Sequence, residues 1–547
     1  KAKTFGVAGT FSYIDHHDET LAFIDSGAKI SGSEVNISAT DDTLLFNVSG
    51  GVIKGENMGV GASVAINSIE RDTRALIGHA SFDPSACLTG GNIIDLGYKH
   101  GYKTGDTVVY LNGGGASISG LENGKTYEVM VVDETKISLM DTETGAIIDL
   151  AAAADMGASH MLVREDGYLS SESDVSLTAE NTGSLSSYSL AAAVTTSKND
   201  DETKEETSPV PDKIADDDPL DGVSLPRLFN EDEDEGDAQP EKKPKAAISV
   251  AGDVSVNLIT DNTHAAITGL KLVEAENVDL SARSDSTISS IAGAAAMASS
   301  EGTSVGLAGS VTYNELDTET NASITDAFLD ISGDLGLSAE TEGTIRTISA
   351  SGSLERKDKG YGLAGSVSVN QIDSDTHAFI SRSDIDSGGK AKISAGDDTS
   401  IWSIAGSASF GGKAGIGASV AVNTTDNDTA ASVQDSDITA GGDVMVSADE
   451  RSEIKTVAAS LGASKDGMAI AGSAAVSDLT NTTKAYIEGK KLGGVTADGN
   501  VSLAADDDAD ILSVAGNIAI AKGSQGIGGA GFGGAASIII TDNTVES

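Results

Sequence analysis

The chain has 547 residues, and its 84 acidic against 35 basic side chains give a net charge of -49. Such a surface repels phosphate backbones and anionic headgroups, so the composition excludes nucleic-acid binding and disfavours acidic membranes. Glycine accounts for 64 residues and aromatic side chains for only 4%. This composition favours a long array of thin, stacked sheets over one globular core.

Three features of the sequence bear on disulfide bonds, membrane insertion and the extent of the chain. Cys87 is the one cysteine, so no intrachain disulfide can form. No run reaches the ~18 apolar residues of a membrane helix, and we expect no membrane insertion. The sequence starts at Lys1 without a Met and stops at Ser547 within a repeat, so we expect it to be a segment of a longer protein.

A recurring phrase of small residues ends in Asn. It spans Gly59–Asn67 and returns at Gly362–Asn370 and Gly415–Asn423. An acidic segment follows each copy and ends on Thr. Because Asp and Asn favour turns, we expect these segments to be turns. The threonines are Thr20, Thr73, Thr263, Thr320, Thr376, Thr429, Thr483 and Thr544.

A second phrase, built around Ser-Ala, lies between the copies of the first. Its alanines are Ala39, Ala179, Ala282, Ala339, Ala395, Ala448 and Ala505, and the last five are 57, 56, 53 and 57 residues apart. Polar and apolar residues alternate around them, which is typical of β-strands. The period of about 55 residues predicts an all-β fold, a β-solenoid with two or three coils of ~18–27 residues per repeat. An antiparallel β-prism, with the acidic segments as hairpin tips, is the alternative.

Two wide gaps between the alanines divide the chain. Each gap exceeds a whole period by the length of a foreign segment, after which the repeat resumes in phase. We therefore expect solenoid at 1–78, an inserted domain at 79–165, solenoid again at 166–197, a second insertion at 198–245, and solenoid at 246–547.

The first insertion, 79–165, has the larger side chains of a globular core. It holds Cys87, and strand-like runs alternate with Gly-rich turns. Its tyrosines are Tyr98, Tyr102, Tyr110 and Tyr127. These features predict a small β-barrel-like domain that bulges from the solenoid. It serves either for ligand recognition, since loops on a rigid scaffold carry function, or as a spacer.

The second insertion, 198–245, has the composition of a disordered loop. It contains six of the seven prolines and seventeen acidic residues, including the run Glu231–Glu235. High charge and few apolar side chains give such a segment no core to fold around. Its one apolar stretch, Val223–Phe229, offers a docking element toward the shaft or a partner.

The sequence contains few residues suited to catalysis. His264 and His377 occupy a repeat position that holds Arg74 elsewhere, which indicates a tolerant surface position, and the pair His16-His17 lacks further ligands at zinc spacing. We therefore predict no enzyme activity. Acids recur in register in three repeats, where they form a column of solvated residues or a calcium site, since hard cations take carboxylate oxygens. The candidate ligands are Asp317, Glu319, Asp373, Asp375, Asp426 and Asp428.

The repeat style resembles that of giant secreted bacterial surface proteins. The segments Gly415–Thr429 and Ile438–Ala448 are similar to repeats of filamentous-haemagglutinin-like adhesins and of the large leukotoxins of type V secretion. The resemblance covers about three quarters of the chain. It implies export across the outer membrane and solenoid stacking, and it transfers no catalytic residue.

These observations together predict a structural and adhesive shaft at the bacterial cell surface, extracellular and associated with the outer membrane. Expected partners are a glycan or protein on a host or neighbouring cell, or further copies of the chain. The first alternative is the shaft of a leukotoxin-like secreted toxin. The second is a glycan-active β-helix enzyme, which needs a non-repeated carboxylate cluster in a groove.

Overall fold

A computed structural model of the chain describes residues 5–25, 28–78, 82–96, 100, 102–112, 116–152, 160–164, 168–197, 246–269, 273–489, 494–523 and 528–547. These residues are mainly β-strand, apart from connecting segments and one turn of helix, α1 (Pro84–Cys87). The all-β class and the solenoid architecture predicted from the alternating sequence are therefore confirmed.

Each repeat of about 55 residues forms one coil, which we call a rung. In one rung, β18 (Leu335–Glu355) runs the length of the first sheet, β19 (Gly360–Ser381) returns along the second, and β20 (Asp384–Ser387) closes the third. The chain then re-enters the first sheet in β21 (Ala391–Gly411). The expectation of two or three coils per repeat is wrong, because the two long strands use most of the repeat.

Strands of successive rungs stack into three parallel sheets. Sheet A comprises β3 (Val35–Gly55), β12 (Val175–Ser197), β15 (Val278–Ser300), β18, β21, β24 (Val444–Ser464) and β27 (Val501–Ala521). Sheet B comprises β1 (Phe5–Ile24), β4 (Met58–Gly78), β13 (Ala247–Thr268), β16 (Ser304–Thr325), β19, β22 (Ala414–Gln434), β25 (Met468–Glu488) and β28 (Ala530–Glu546). Sheet C comprises β2 (Lys29–Gly32), β11 (Tyr168–Ser171), β14 (Val273–Ala275), β17 (Phe328–Ile331), β20, β23 (Asp437–Ala440) and β26 (Val495–Ala497).

The ladders are parallel and run past both inserted segments. β12 pairs with β3 on one side and β15 on the other, and β13 pairs with β4 and β16 in the same way. Parallel pairing of equivalent strands excludes the antiparallel prism, in which neighbouring strands would alternate in direction.

The acidic segments lie within strands, so their prediction as turns is wrong. Asn370–Thr376 is the middle of β19, where Ser374 points inward and Asp373 and Asp375 point outward. The polar segment after Ala395 likewise lies within β21. Turn-forming residues stay extended here because the rungs above and below supply partners for every backbone group.

The apolar core lies at the end of each rung where all three sheets meet. Leu, Ile, Val and Ala from the start of each sheet A strand, the end of each sheet B strand and the short strands of sheet C form one continuous cluster. Leu337, Ile324 and Leu329 are typical members and are almost fully buried. Burial of this cluster along the stack is the main apolar contribution to stability.

Beyond this core, sheets A and B face each other directly in a two-layer extension that we call the wing. In the rung of β18 and β19 the wing comprises 347–355 and 360–370. Its interior is filled by small and polar side chains, and Ser310 and Ser349, for example, share a hydrogen bond of 2.8 Å across it. An asparagine ladder marks its inner border.

The asparagine ladder connects consecutive rungs through side-chain amides. Asn257 donates to Asn314 at 2.7 Å, and Asn314 donates to Asn370 at 2.7 Å. Asn370 donates to Asn423 at 2.6 Å. These are the residues that end the first repeat phrase, and all four are completely buried. The recurrence of Asn in the sequence therefore reflects one amide contact per rung.

The first insertion forms a separate antiparallel sheet, sheet D. Its strands are β5 (Leu88–Gly90), β6 (Ile93–Asp95), β7 (Thr107–Leu111), β8 (Thr126–Val131), β9 (Lys136–Asp141) and β10 (Met161–Arg164), in the order β10-β7-β8-β9-β6-β5. Among the described residues the sheet is open, with β5 and β10 at its edges, and does not close as a barrel. Connecting segments that carry Phe82, Ile118 and Leu150 cover its core instead.

Candidate functional site

The six predicted ligands lie on the outer face of sheet B, in the half nearer the core. The register places Asp317, Asp373 and Asp426 in one column and Glu319, Asp375 and Asp428 in the next. We call these six residues the acidic face. They share one side of the sheet because each pair is two residues apart along its strand.

Crowding and partial burial change the acidity of this face. Burial, followed by the charges of Asp317 and Asp426, raises the pKa of Asp373 to about 6. Burial also raises the pKa of Asp317 and of Asp375, with neighbouring carboxylates adding to the effect. A cation held between the columns would relieve this repulsion.

His377 joins the acidic face, although its sequence position indicates only a tolerant surface residue. Ligand atoms of Asp375, His377 and Asp428 all lie within 4.8 Å of one another, and His377 Nε2 is 3.9 Å from Asp428 Oδ1. The signal available in the sequence was its spacing, two residues after Asp375 on one strand face. An imidazole with two carboxylates suits a transition metal such as Zn²⁺ better than calcium, which prefers oxygen ligands throughout.

The pKa shifts within this group show how its charges couple. Burial acts to lower the pKa of His377, but the Asp428 carboxylate, helped by Asp375 and Glu319, more than offsets it and the pKa is raised. In return, contact with His377 lowers the pKa of Asp428. When the imidazole is protonated the two side chains form an ion pair, which a bound metal would have to replace.

A groove of about 780 Å³ runs along sheet B beside the acidic face, and sheet D contributes to its wall. Met161 of β10 lines it together with the column of Arg74, His264 and His377 and with Tyr486. Charged groups of both signs and an aromatic ring surround the same space. The groove is therefore suited to a polar, hydroxyl-rich ligand rather than to an apolar one.

Other predicted candidates are placed apart from this groove. His16 and His17 point to opposite sides of β1: His16 Nε2 lies 2.6 Å from Asp18, and His17 Nδ1 lies 3.3 Å from Glu70. Adjacent residues of a strand cannot bind one ion together. Cys87 is a free, partly buried thiol at the end of α1.

The tyrosines of sheet D have structural roles where they are described. Tyr110 and Tyr127 are fully buried in its core, and Tyr102 is nearly so. The Tyr110 hydroxyl lies 2.6 Å from His160 Nδ1. Tyr98 lies outside the described residues, as does the whole predicted loop at 198–245.

Two buried acids lie inside the solenoid, behind the acidic face. The sequence did not identify them as a site. Asp397 of β21 and Glu450 of β24 are register partners on the inner face of sheet A. Ser374 and Thr376 donate hydrogen bonds to Asp397, and Thr429 donates to Glu450. In sequence Asp397 resembles its exposed neighbour Asp398, and only the inward direction of its side chain distinguishes it.

Comparison with known proteins gave no match to a family model, to a curated protein or to a solved structure. Among the described residues, no helix has the length and apolar character needed to cross a membrane.

Proposed function

We propose that this chain is part of the shaft of a large secreted bacterial surface protein that mediates attachment, and that it has no catalytic role. The observation that carries the proposal is the continuity of the parallel ladders past both insertions. Because the backbone of each rung is hydrogen-bonded to the rungs above and below it, the stack is a stiff support. Repetition of the acidic face in three rungs also favours a structural or ion-binding role, since an active site needs one copy.

The proposed contact site is the groove between sheet D and sheet B. Sheet D interrupts the solenoid without interrupting its ladders, as a recognition module on a scaffold would. Arg74, Arg382, Asp428 and Tyr486 around the groove offer charged donors, a carboxylate and a ring. This chemistry fits a glycan or a polar protein surface on a host or neighbouring cell.

The proposal is tested by replacing residues 79–167 with a two-residue link, Asp-Ala, as found at Asp326 and Ala327 between β16 and β17. The ladders of sheets A, B and C should persist, so far-ultraviolet circular dichroism and the Tm of the remaining shaft should change little. Binding of the labelled chain to host cells and glycan arrays should fall to background.

A milder variant separates recognition from folding. Arg74→Ala with Tyr486→Ala removes two groove side chains and should weaken cell binding about tenfold, whereas Arg451→Ala, an exposed residue on the far side of sheet A, should leave it unchanged. Full binding after removal of 79–167 would refute the groove as the contact site. Turnover of an array glycan would favour the enzyme alternative.

A further inference from the structure

Among the described residues, the outer face of sheet B along the wing carries no charged side chain and no Ser, Thr or Asn. We call it the apolar face. In each of the eight strands, five successive outward positions hold only Gly, Ala, Val, Leu, Ile, Met, Phe or Tyr. They are Phe5, Val7, Gly9, Phe11 and Tyr13; Met58, Val60, Ala62, Val64 and Ile66; Ile248, Val250, Gly252, Val254 and Val256; Val305, Leu307, Gly309, Val311 and Tyr313; Tyr361, Leu363, Gly365, Val367 and Val369; Ala414, Ile416, Ala418, Val420 and Val422; Met468, Ile470, Gly472, Ala474 and Val476; Ala530, Phe532, Gly534, Ala536 and Ile538.

This arrangement inverts the usual distribution of side chains. Hydroxyls and amides fill the interior of the wing, as in the Ser310–Ser349 contact, while large aliphatic groups face outward. In the middle of the stack Leu363 is 37% exposed and Val311 39% exposed. A continuous apolar surface of this kind on a chain of net charge -49 indicates a surface that is covered in the working protein.

The central column of the apolar face, which we call the glycine groove, holds Gly in six of the eight strands and Ala62 and Ala418 in the other two. A Cβ added at Gly309 or Gly365 would meet no atom closer than 4.0 Å, and one at Gly252 would meet none within 4 Å. None of these glycines has a left-handed φ angle. Glycine weakens a strand, so its recurrence where a side chain would fit calls for an external reason, which close approach of another surface supplies.

The apolar face has the size of a stable protein interface. Nine residues along each strand span ~30 Å and eight strands span ~38 Å, giving roughly 1,100 Å². A specific complex buries about 800 Å² on each partner. The valine column of Val311, Val367 and Val420 forms a ridge beside the glycine groove, with the same spacing between rungs. The face is therefore complementary to itself.

Charge complementarity indicates how two copies of the chain would be oriented if their apolar faces packed against each other. The turns at the wing tip carry Lys357 and Lys359 in the rung of Asp373 and Lys413 in the rung of Asp426, whereas the turn in the rung of Asp317 carries Glu301. In the two basic rungs the acidic face lies at the far end of the apolar face. If a two-fold axis along the stacking direction of the rungs relates the two copies, the columns of the second copy face those of the first in reverse order. When the valine ridge of one copy enters the glycine groove of the other, the basic turns lie opposite the partner's Asp373 and Asp426.

We propose that the apolar face binds the same face of a second copy of this chain, with the two stacks parallel. The sheets pack face to face at ~10 Å, as apolar sheets do. A lipid surface is a weaker match, since fluid acyl chains present no ridge at the rung spacing and gain nothing from a glycine column. This inference concerns association between shafts and does not rest on the groove proposed for attachment.

The test measures the mass of the full chain by sedimentation velocity across a concentration series. The wild-type chain should form a species of twice the chain mass. Gly309→Leu with Gly365→Leu fills the groove without an internal clash and should weaken association at least about tenfold. Gly396→Leu is the matched control, because this outward glycine also has open space around it but lies on sheet A, and it should associate like wild type.

The proposed pairing places Gly365 of one copy opposite Val367 of the other, and disulfide trapping in a Cys87→Ser background tests this geometry. A mixture of the Gly365→Cys and Val367→Cys chains should form heterodimers faster than either chain forms homodimers. A monomer at all concentrations, or association unaffected by the leucine variants, would overturn the proposal. So would a monomer that binds neutral phosphatidylcholine vesicles through this face. Cell binding measured in parallel distinguishes loss of pairing from loss of attachment.

Discussion

Asp397 shows how strongly position within the solenoid changes the chemistry of a single residue. Burial, followed by the charge of Glu450, raises the pKa of its carboxyl well above the usual value. Burial raises the pKa of Glu450 to about 7. In both residues folding favours the protonated form, so their contribution to stability is complete at acid pH. For Glu450 this contribution is lost as pH rises from about 4 to about 7, and for Asp397 the loss likewise begins near pH 4, because the unfolded chain ionises first.

Asp397→Asn should therefore flatten the pH dependence of stability. We expect the Tm of the variant to match wild type near pH 3 and to exceed it at pH 8, because the amide keeps an acceptor for Ser374 without a charge to bury. Asp398→Asn on the exposed face is the control and should follow the wild-type profile. A Tm of the Asp397 variant that falls with pH as steeply as wild type would contradict this account.

Calcium remains a prediction for the acidic face. Binding would offset the burial and the carboxylate repulsion that together raise the pKa of Asp373, and it would link neighbouring rungs. At a calcium concentration 100 times Kd the stabilisation would be about 2.7 kcal/mol. The Tm measured by circular dichroism should therefore rise with millimolar calcium and fall with a chelator, and Asp373→Asn with Asp426→Asn should lose most of this response.

The identity of the ion can be tested at His377. His377→Ala should leave a calcium response intact, since calcium needs only the oxygens, but should abolish stabilisation by Zn²⁺. Asp449→Asn, an exposed acid of sheet A, serves as the control for both ions. No change of Tm with either ion would identify the acids as solvated surface residues.

At the scale of the strand, the asparagine ladder illustrates which features the sequence could predict. The recurring Asn and the period were visible because one contact per rung demands one residue per repeat. The direction and length of the strands were not, since Asn and Asp between Asn370 and Thr376 are common in turns. Strands of 21 or 22 residues are also far longer than the usual five or six.

The inserted segments likewise have some features that the sequence predicts and others that it does not. Interruption of the period located sheet D, and its larger side chains predicted a core, which Tyr110 and Tyr127 indeed fill. The groove could not be predicted, because it depends on how Met161 of β10 meets the outer face of sheet B. The spacing of His377 from Asp375 was visible in the sequence, but its contact with Asp428 was not, because Asp428 lies in the next rung.

Asn370→Ala should destabilise the chain by about 1–3 kcal/mol. The substitution leaves the amide of Asn314 without its acceptor and the oxygen of Asn423 without its donor, both fully buried. Chemical denaturation would measure the loss, and Asn321→Ala, on the outer face of the same sheet, should cost less than about 0.5 kcal/mol. Equal effects of the two substitutions would show that the ladder adds no stability.

At the scale of the whole molecule, the described stack is broader than it is tall. Strands of 21 residues span ~70 Å, whereas eight rungs rise only ~38 Å. Most of its surface therefore lies on the outer faces of sheets A and B. The outer face of sheet A is also apolar along the wing. One of its register columns comprises Ile291, Ile348, Ile404 and Val457. The breadth suits lateral contact between molecules as much as reach.

Deletion of one whole rung should be tolerated. Removal of 335–390 joins Asp334 to Ala391, which is the register partner of Leu335, so β15 would stack on β21. We expect a cooperative unfolding transition and a circular dichroism signal per residue equal to wild type. Removal of 335–359 alone omits one sheet A strand and should prevent closure of the rung. Failure of the whole-rung deletion to fold would argue that neighbouring rungs are not equivalent.

The shape of the rung also sets how the molecule responds to tension. A repeat of about 55 residues contributes only ~4.8 Å of height, yet the same residues span roughly 180 Å when extended. A pull that peels off a single rung thus releases nearly forty times its folded length while the remaining ladders stay intact. Under hydrodynamic drag such a stack would lengthen rung by rung, dissipating load before the attachment proposed at its side is lost.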